Sequence, residues 1–227
     1  MESGLDVLIY NFFNLEILKS SLPFLWRGFK MTLLLTVIAV PLGIFAGLLV
    51  ATTCSFGKRW VNFWLMLYVD FFRAIPPIVL LIIVYYGAPM LGADMPVLAA
   101  VALSFTFNTS AYYGEIFRAG IESIPRGQME AARSTGLTRL QATVYVIIPQ
   151  ATRNVLPDLV SNTVEVVKFT SIASVVALPE LLRMARVVQG LTFNPTPLVA
   201  AALIYLLLLW PVVRLLSRLE HGLAAKR

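Results

Sequence analysis

Apolar residues fall into five long runs, at about 29–51, 61–87, 96–119, 155–179 and 196–217, and one extended polar island at 124–150 separates the third from the fourth. Each run is close to the ~20 residues a helix needs to cross a hydrocarbon core, so the pattern predicts five membrane-spanning helices. Two runs are interrupted. Arg73, Pro76 and Pro77 lie within the second, and Asn162, Thr163, Glu165 and Lys168 within the fourth. Ahead of the first run, residues 5–25 alternate Phe12, Phe13, Leu15 and Ile17 with Asn11, Asn14, Glu16 and Lys19, a mixture suited to a helix lying at the membrane surface.

Composition agrees with this pattern. Of 227 residues 59% are hydrophobic and 13% charged, and mean hydropathy is +0.81, which excludes an ordinary soluble domain. No change of composition divides the chain, so it reads as an all-α integral membrane protein with one transmembrane domain at 24–218. An extracytoplasmic or interfacial segment at 1–23 precedes it and a cytoplasmic tail at 219–227 follows. The first residues lack the basic stretch and small-residue cleavage site of a secretory signal, so no removal is expected.

The net charge of +6 does not indicate nucleic acid, because the basic residues sit at the ends of apolar runs rather than interleaved with aromatics. They report topology instead. Lys58, Arg59, Arg126, Arg133, Arg139, Arg153, Arg214, Arg218, Lys226 and Arg227 would share one side, against Lys19, Arg27, Lys30, Arg183 and Arg186 on the other. Positive charge concentrates on the cytoplasmic side, which puts the island and the carboxyl terminus inside and the amino terminus outside. Cys54 and His221 each stand alone, so neither a disulfide nor a metal cluster is expected.

Within the island, Glu130, Ala131 and Ala132 favour helix, Gly136 supplies a bend, and 137–145 can resume a second short helix that ends before Pro149. A membrane chain that holds an ordered helical pair outside the bilayer is presenting a docking surface. Ionisable residues in the apolar runs also need partners, and three opposite pairs share a spacing of three: Asp70 with Arg73, Glu115 with Arg118, and Glu165 with Lys168. Mutual neutralisation accounts for the first two. The third is flanked by Asn162, Thr163, Thr170, Ser171 and Ser174, a face unsuited to lipid that belongs at a subunit interface or on a substrate path. Pro76 and Pro77 kink the second run and free backbone carbonyls, either to help form a gate beside Asn108 and Thr109 or only to set a packing angle. Gly43 and Gly47 form a Gly-x3-Gly pattern that permits close helix approach.

The island resembles the cytoplasmic signature of ABC importer permeases: Glu130-Ala131-Ala132, Gly136 four positions later, and Ile148-Pro149 at its close. Further stretches are similar to the polar amino-acid uptake branch of that family. They are Trp26-x-Gly28-x3-Thr32-Leu33, Arg73-Ala-Ile-Pro76-Pro77, Ala111-Tyr112-Tyr113-Gly114-Glu115-x2-Arg118, Ser123-Ile-Pro125-x-Gly127-Gln128 and Lys168-x-Thr170-Ser171. Together they cover roughly residues 24–215 in order. The resemblance implies a five-helix permease with a short helical coupling loop at about 122–150 in a bacterial cytoplasmic membrane. Its implied partners are two cytoplasmic ATPase subunits holding ATP and magnesium, a second permease, alike or paralogous, and an extracytoplasmic amino-acid-binding protein. It assigns Glu130, Ala131, Ala132, Gly136 and Pro149 to ATPase coupling. Substrate-path candidates are Asn108, Thr109, Asn162, Glu165, Lys168, Phe169, Thr170 and Ser171. Many relatives carry an acidic residue where this chain has Phe169, which disfavours a cationic amino acid as substrate.

No Gly-x4-Gly-Lys-Ser/Thr phosphate loop is present, since Gly57-Lys58 is followed by arginine and has no glycine at the required position upstream. Nor is any nucleophile and base set at a recognisable spacing, so this chain is expected to be neither an ATPase nor another enzyme and to bind no cofactor. Two other readings compete with the importer: an ion-coupled secondary carrier acting alone, against which the odd helix count and the docking island weigh, and a membrane scaffold without transport.

Overall fold

The computed structural model describes residues 10–224, which are helical throughout apart from short connections, with no strand among them. The start of the expected 1–23 segment and the end of the 219–227 tail lie outside the described residues. The first helix, α1, runs from Leu15 to Ser55 without a break. Its start is fixed by Asn14, whose side chain accepts from the amides of Glu16 (3.1 Å) and Ile17 (3.2 Å). The boundary drawn at residue 23 therefore falls inside a helix. Pro23 and Pro41 are accommodated because an isolated missing amide does not undo a helix whose other bonds are shielded from water. Forty-one residues at 1.5 Å each make about 60 Å, twice the hydrocarbon thickness, so the surface-lying portion and the first span are one rod.

The second apolar run is two helices, α2 (Arg59–Ala74) and α3 (Pro77–Met90), bent by 102°. Ile75 and Pro76 each precede a proline and take the extended ψ values this requires, 129° and 133°. Next come α4 (Val97–Glu122), α5 (Arg126–Ser134) and the one-turn α6 (Arg139–Ala142). A π-helical turn at Thr143–Ile147 leads into α7 (Ile148–Asn154), then α8 (Leu156–Phe169) and a 3-10 turn (Thr170–Val176). Finally come α9 (Leu181–Thr192) and α10 (Thr196–Ala224).

Among the described residues three helical stretches are long and apolar enough to cross a membrane, Tyr10–Ser55, Leu156–Val176 and Thr196–Arg218, or four when the bent α2–α3 pair counts as one. The expected fifth, α4, has the length at 26 residues but not the apolarity. The physical reason is its position. α4 is the central helix, packed along α1 and touched by α2, α3, α7 and α8, so its surface need not suit lipid. Gly43 and Gly47 make that contact possible: a Cβ on Gly43 would lie 2.2 Å from Thr109 Oγ1, and one on Gly47 would lie 2.6 Å from the Gly114 amide nitrogen. Leu35, Ala39, Val101, Phe105, Tyr113 and Phe117 fill the core between these helices.

Two ends of the bundle are defined by contacts. At one, Asn14 N donates to Thr196 Oγ1 (3.1 Å) and Asn194 Nδ2 to the Tyr10 carbonyl (3.0 Å), joining the start of α1 to the start of α10. At the other, Arg139 Nη2 donates to the Ser55 carbonyl at 2.8 Å, holding the polar island against the end of α1.

Candidate functional site

The polar island folds as a helical knob. α5 begins after Pro125, whose ring has the φ of −57° that a helix start tolerates, and ends at a turn in which Gly136 adopts φ of +90°. Gly136 N donates to the Arg133 carbonyl (3.1 Å) and Arg133 Nη1 to the Leu137 carbonyl (3.2 Å), closing the turn from both sides. The second helix starts two residues later than expected. Thr138 and Gln141 form a capping box, with Gln141 N donating to Thr138 Oγ1 (3.3 Å) and Thr138 N to Gln141 Oε1 (2.9 Å). Thr138-x-x-Gln141 was legible in the sequence and marks this start. Behind the knob, Gln150 Nε2 donates to Gln128 Oε1 (3.3 Å) and Asn154 Nδ2 to Ser123 Oγ (3.0 Å), while Arg139 lies over the Phe56 ring.

Several coupling residues sit differently from the sequence expectation. Ala131 is exposed, but Ala132 is buried on α5, which meets α6 and the π-helical turn, so it packs the knob internally. Glu130 is exposed and joins no hydrogen bond or ion pair among the described residues. Pro149 does not end the helical path. It occupies the first turn of α7, where its missing amide costs nothing, and the π-helical turn before it takes up the change of register. The outward surface of the knob thus carries Glu130, Ala131, Leu140 and Tyr145.

The charged pairs resolve unequally. Arg118 grips Glu115 with two nitrogens (2.6 and 2.9 Å) and Glu122 with a third (2.6 Å). Asp70 and Arg73 do not pair. Arg73 instead lies over the Tyr112 ring and 4.0 Å from Glu115, because α2 is laid along α4 and brings those partners closer than its own preceding turn does. Lys168 Nζ and Glu165 Oε1 are 2.5 Å apart, and each side chain is about half exposed on the surface of the chain. Glu165 is therefore already neutralised, so it does not stand in for the acidic residue absent at Phe169.

The remaining path candidates divide by burial. Asn162 and Phe169 are half-buried; Tyr113 Oη and Thr163 Oγ1 bond at 2.8 Å beside them. Thr170 is fully buried and its hydroxyl donates back to the Val167 carbonyl (2.7 Å), while Ser171 Oγ donates to the Lys168 carbonyl (2.7 Å). Asn108 and Thr109 are each 2% exposed and wedged between helices, Thr109 against Gly43, rather than on an open wall.

One buried carboxylate escaped the sequence reading. Glu180 is fully buried and caps α9, accepting from the amides of Leu182 (2.8 Å) and Arg183 (2.6 Å) and from Tyr205 Oη of α10 (3.1 Å). Burial pushes its carboxyl up to about 6 against the opposing pull of those donors and of Arg186. Beside it the Leu181 amide donates to buried Thr32 Oγ1 (3.2 Å), and a Cβ on Gly28 would meet the Leu181 backbone at 2.8 Å. Acid followed by an amphipathic run is a helix-start signal, which could have found Glu180.

A helical membrane bundle that carries a rigid two-helix knob at one end and a charged pair on an intramembrane helix defines a transporter's membrane component. Residues 39–224 match the family described as binding-protein-dependent transport system inner membrane component, and the chain belongs to that family. It is 31% identical over 215 residues, 94% of this chain and 93% of the relative, to a probable amino-acid ABC transporter permease, YckA of Bacillus subtilis (strain 168). It is 36% identical over 214 residues, 92% and 98% of the two chains, to the probable glutamine ABC transporter permease GlnM of the same organism. Among solved structures, one described as an amino acid ABC transporter with histidines superposes with a TM-score of 0.80 at 34% identity, covering 90% of this chain and 96% of that one. The MetNI methionine ABC transporter shares the fold, with a TM-score of 0.74 at 20% identity over 88% of this chain and 95% of that one.

Proposed function

We propose that this chain is the membrane-spanning permease subunit of an ATP-driven importer for a polar amino acid or a close analogue. The observation that carries the reading is the knob. Its exposed face is presented at the same end as Ser55, and a hydrogen bond from Arg139 ties it rigidly to the longest helix of the bundle. A rigid protrusion so tied can carry movement of a separate ATPase into the spans. Glu130 and Ala131 face that ATPase, Gly136 makes the bend and Ala132 holds the two helices together.

The full assembly in this reading has two such permeases, two ATPase subunits that hold ATP and magnesium, and an extracytoplasmic binding protein. The knob and carboxyl terminus face the cytoplasm and the amino terminus faces outward, in line with the distribution of basic residues. Asn162, Glu165, Lys168 and Phe169 form the wall of the substrate path. A half-exposed ion pair on a helix apolar enough to span is costly against lipid and belongs against water or a second permease. Because Lys168 neutralises Glu165, this wall offers no free carboxylate to a cation, and an amino acid without net side-chain charge suits it better.

Uptake of tritiated glutamine, glutamate, histidine and arginine tests the proposal in cells that carry the permease with and without its ATPase. Uptake that requires the ATPase and survives collapse of the ion gradients is expected. Uptake that persists without the ATPase and stops when the gradients collapse would make the chain an ion-coupled carrier and overturn the reading.

A further inference from the structure

Proline has no amide hydrogen, so the break between α2 and α3 leaves backbone carbonyls that a continuous helix would have satisfied. In such a helix the amide at 76 would donate to the Phe72 carbonyl, four residues earlier. That carbonyl is not left alone. Asn108 of α4 donates to it through Nδ2 at 3.1 Å. The orientation of the amide is forced, because a carbonyl accepts only from the nitrogen end.

The contact is enclosed and supported on both sides. Asn108 is 2% exposed. Phe72 stacks on Phe107 at 5.0 Å with rings 16° from parallel, and Tyr68 Oη and Ser110 Oγ lie 2.5 Å apart one turn further along. Arg73 lies over Tyr112 on the other side. The last turn of α2 is therefore fixed to α4 at successive positions, and among these side-chain contacts Asn108 is the one that bonds to the backbone of α2.

We infer that Asn108 is a positioning residue for transport: its side-chain amide replaces the hydrogen bond that Pro76 cannot make and so fixes the direction in which α3 leaves α2. Two prolines dictate that the helix stops, but they leave the angle of departure open. Asn108 holds a carbonyl of the last turn of α2 toward α4, and α3 departs at 102°.

That angle reaches the proposed path. α3 packs on α4 and on the Thr170–Val176 turn, and fully buried Leu81 of α3 shares a core with Phe105, Val176 and Leu178. Rotation of α3 about the break would drive Leu81 against the segment that directly follows Lys168. Asn108 thus acts on the path through the backbone of a neighbouring helix, not by touching substrate. This inference rests on the permease reading.

The test compares Asn108→Ala, the similarly sized Asn108→Leu, and each combined with Pro76→Ala, in the intact transporter. The alanine at 76 returns an amide that can bond to the Phe72 carbonyl along the helix. Asn108→Ala and Asn108→Leu should lower the thermal midpoint of the purified complex and reduce ATP-dependent amino-acid uptake by about tenfold or more. Adding Pro76→Ala should restore the midpoint while uptake stays low, because the amide at 76 reaches the Phe72 carbonyl only when Ile75 leaves its extended ψ for a helical one, and α3, still broken off by Pro77, then departs at a different angle. Uptake close to that of the unsubstituted transporter in either single variant would overturn the proposal. So would recovery of uptake together with stability in the double variants, since transport would then need only a satisfied Phe72 carbonyl and not the angle that Asn108 holds. Failure of the unsubstituted complex to take up any of the four amino acids in an ATP-dependent way would overturn the permease reading instead. The stability comparison needs no transport, and absence of its rescue would by itself refute the replacement of one hydrogen bond by the other.

Discussion

Substitution of Gly136 probes the knob most directly. Its backbone is held at φ of +90°, and no atom lies within 4 Å of where a Cβ would stand, so any loss comes from conformation and not from a clash. Valine is the most severe replacement because a β-branched side chain is costly at positive φ, by about 2 kcal/mol. At 1.4 kcal/mol per tenfold, that shifts the local balance between the native turn and alternatives by about 30-fold. The turn has few bonds with which to resist, Gly136 N to the Arg133 carbonyl and Arg133 to the Leu137 carbonyl. Both would be lost if φ turned negative, and α6 would be displaced from its contact with Ser55. Asparagine tolerates positive φ and should cost least, alanine about 1 kcal/mol and valine most. ATP hydrolysis and uptake by the reconstituted complex should fall in that order, with membrane insertion and yield unchanged. Normal coupled transport by Gly136→Val would refute the reasoning, because the knob would then transmit nothing that depends on its bend.

Two further outcomes follow from packing and burial. Gly47→Ala sets a Cβ 2.6 Å from the Gly114 amide nitrogen, a backbone atom that cannot rotate away, so it should destabilise the purified protein by about 1–3 kcal/mol in thermal unfolding. Retained stability would mean that α1 and α4 can part without cost. The Glu180 carboxyl is raised from about 4.5 to about 6, so the folded state binds its proton more tightly than the unfolded chain. Stability is then full below about 4.5 and declines by about 2 kcal/mol as pH rises through about 6. Unfolding midpoints measured across that window should show the decline in the unsubstituted protein and lose it in Glu180→Gln; an unchanged slope in the variant would assign the titration elsewhere.

The family and the island's two-helix form were legible in the sequence because they depend on local chemistry. Glu130, Ala131 and Ala132 propagate helix wherever they stand, Gly136 alone among its neighbours takes positive φ freely, and Pro76-Pro77 must break a helix in any context. The Gly43-x3-Gly47 spacing likewise announced a close approach, though not its target. Thr138 and Gln141 carried an equally local signal for the start of α6.

What depends on partners distant in the chain was decided only by the tertiary structure. Arg73 chose Glu115 and Tyr112 over Asp70 because α2 lies along α4. Ala132 turned inward because α5 folds back on the π-helical turn. Glu180 became a buried cap because Gly28 lets α1 approach its backbone. The polar face of α4 read as a span like the others, yet protein covers it on several sides, which relaxes the apolarity that lipid would demand. Sequence could say that the second run bends; the donor that satisfies Phe72, 36 residues away, and the angle it holds exist only once the helices are packed.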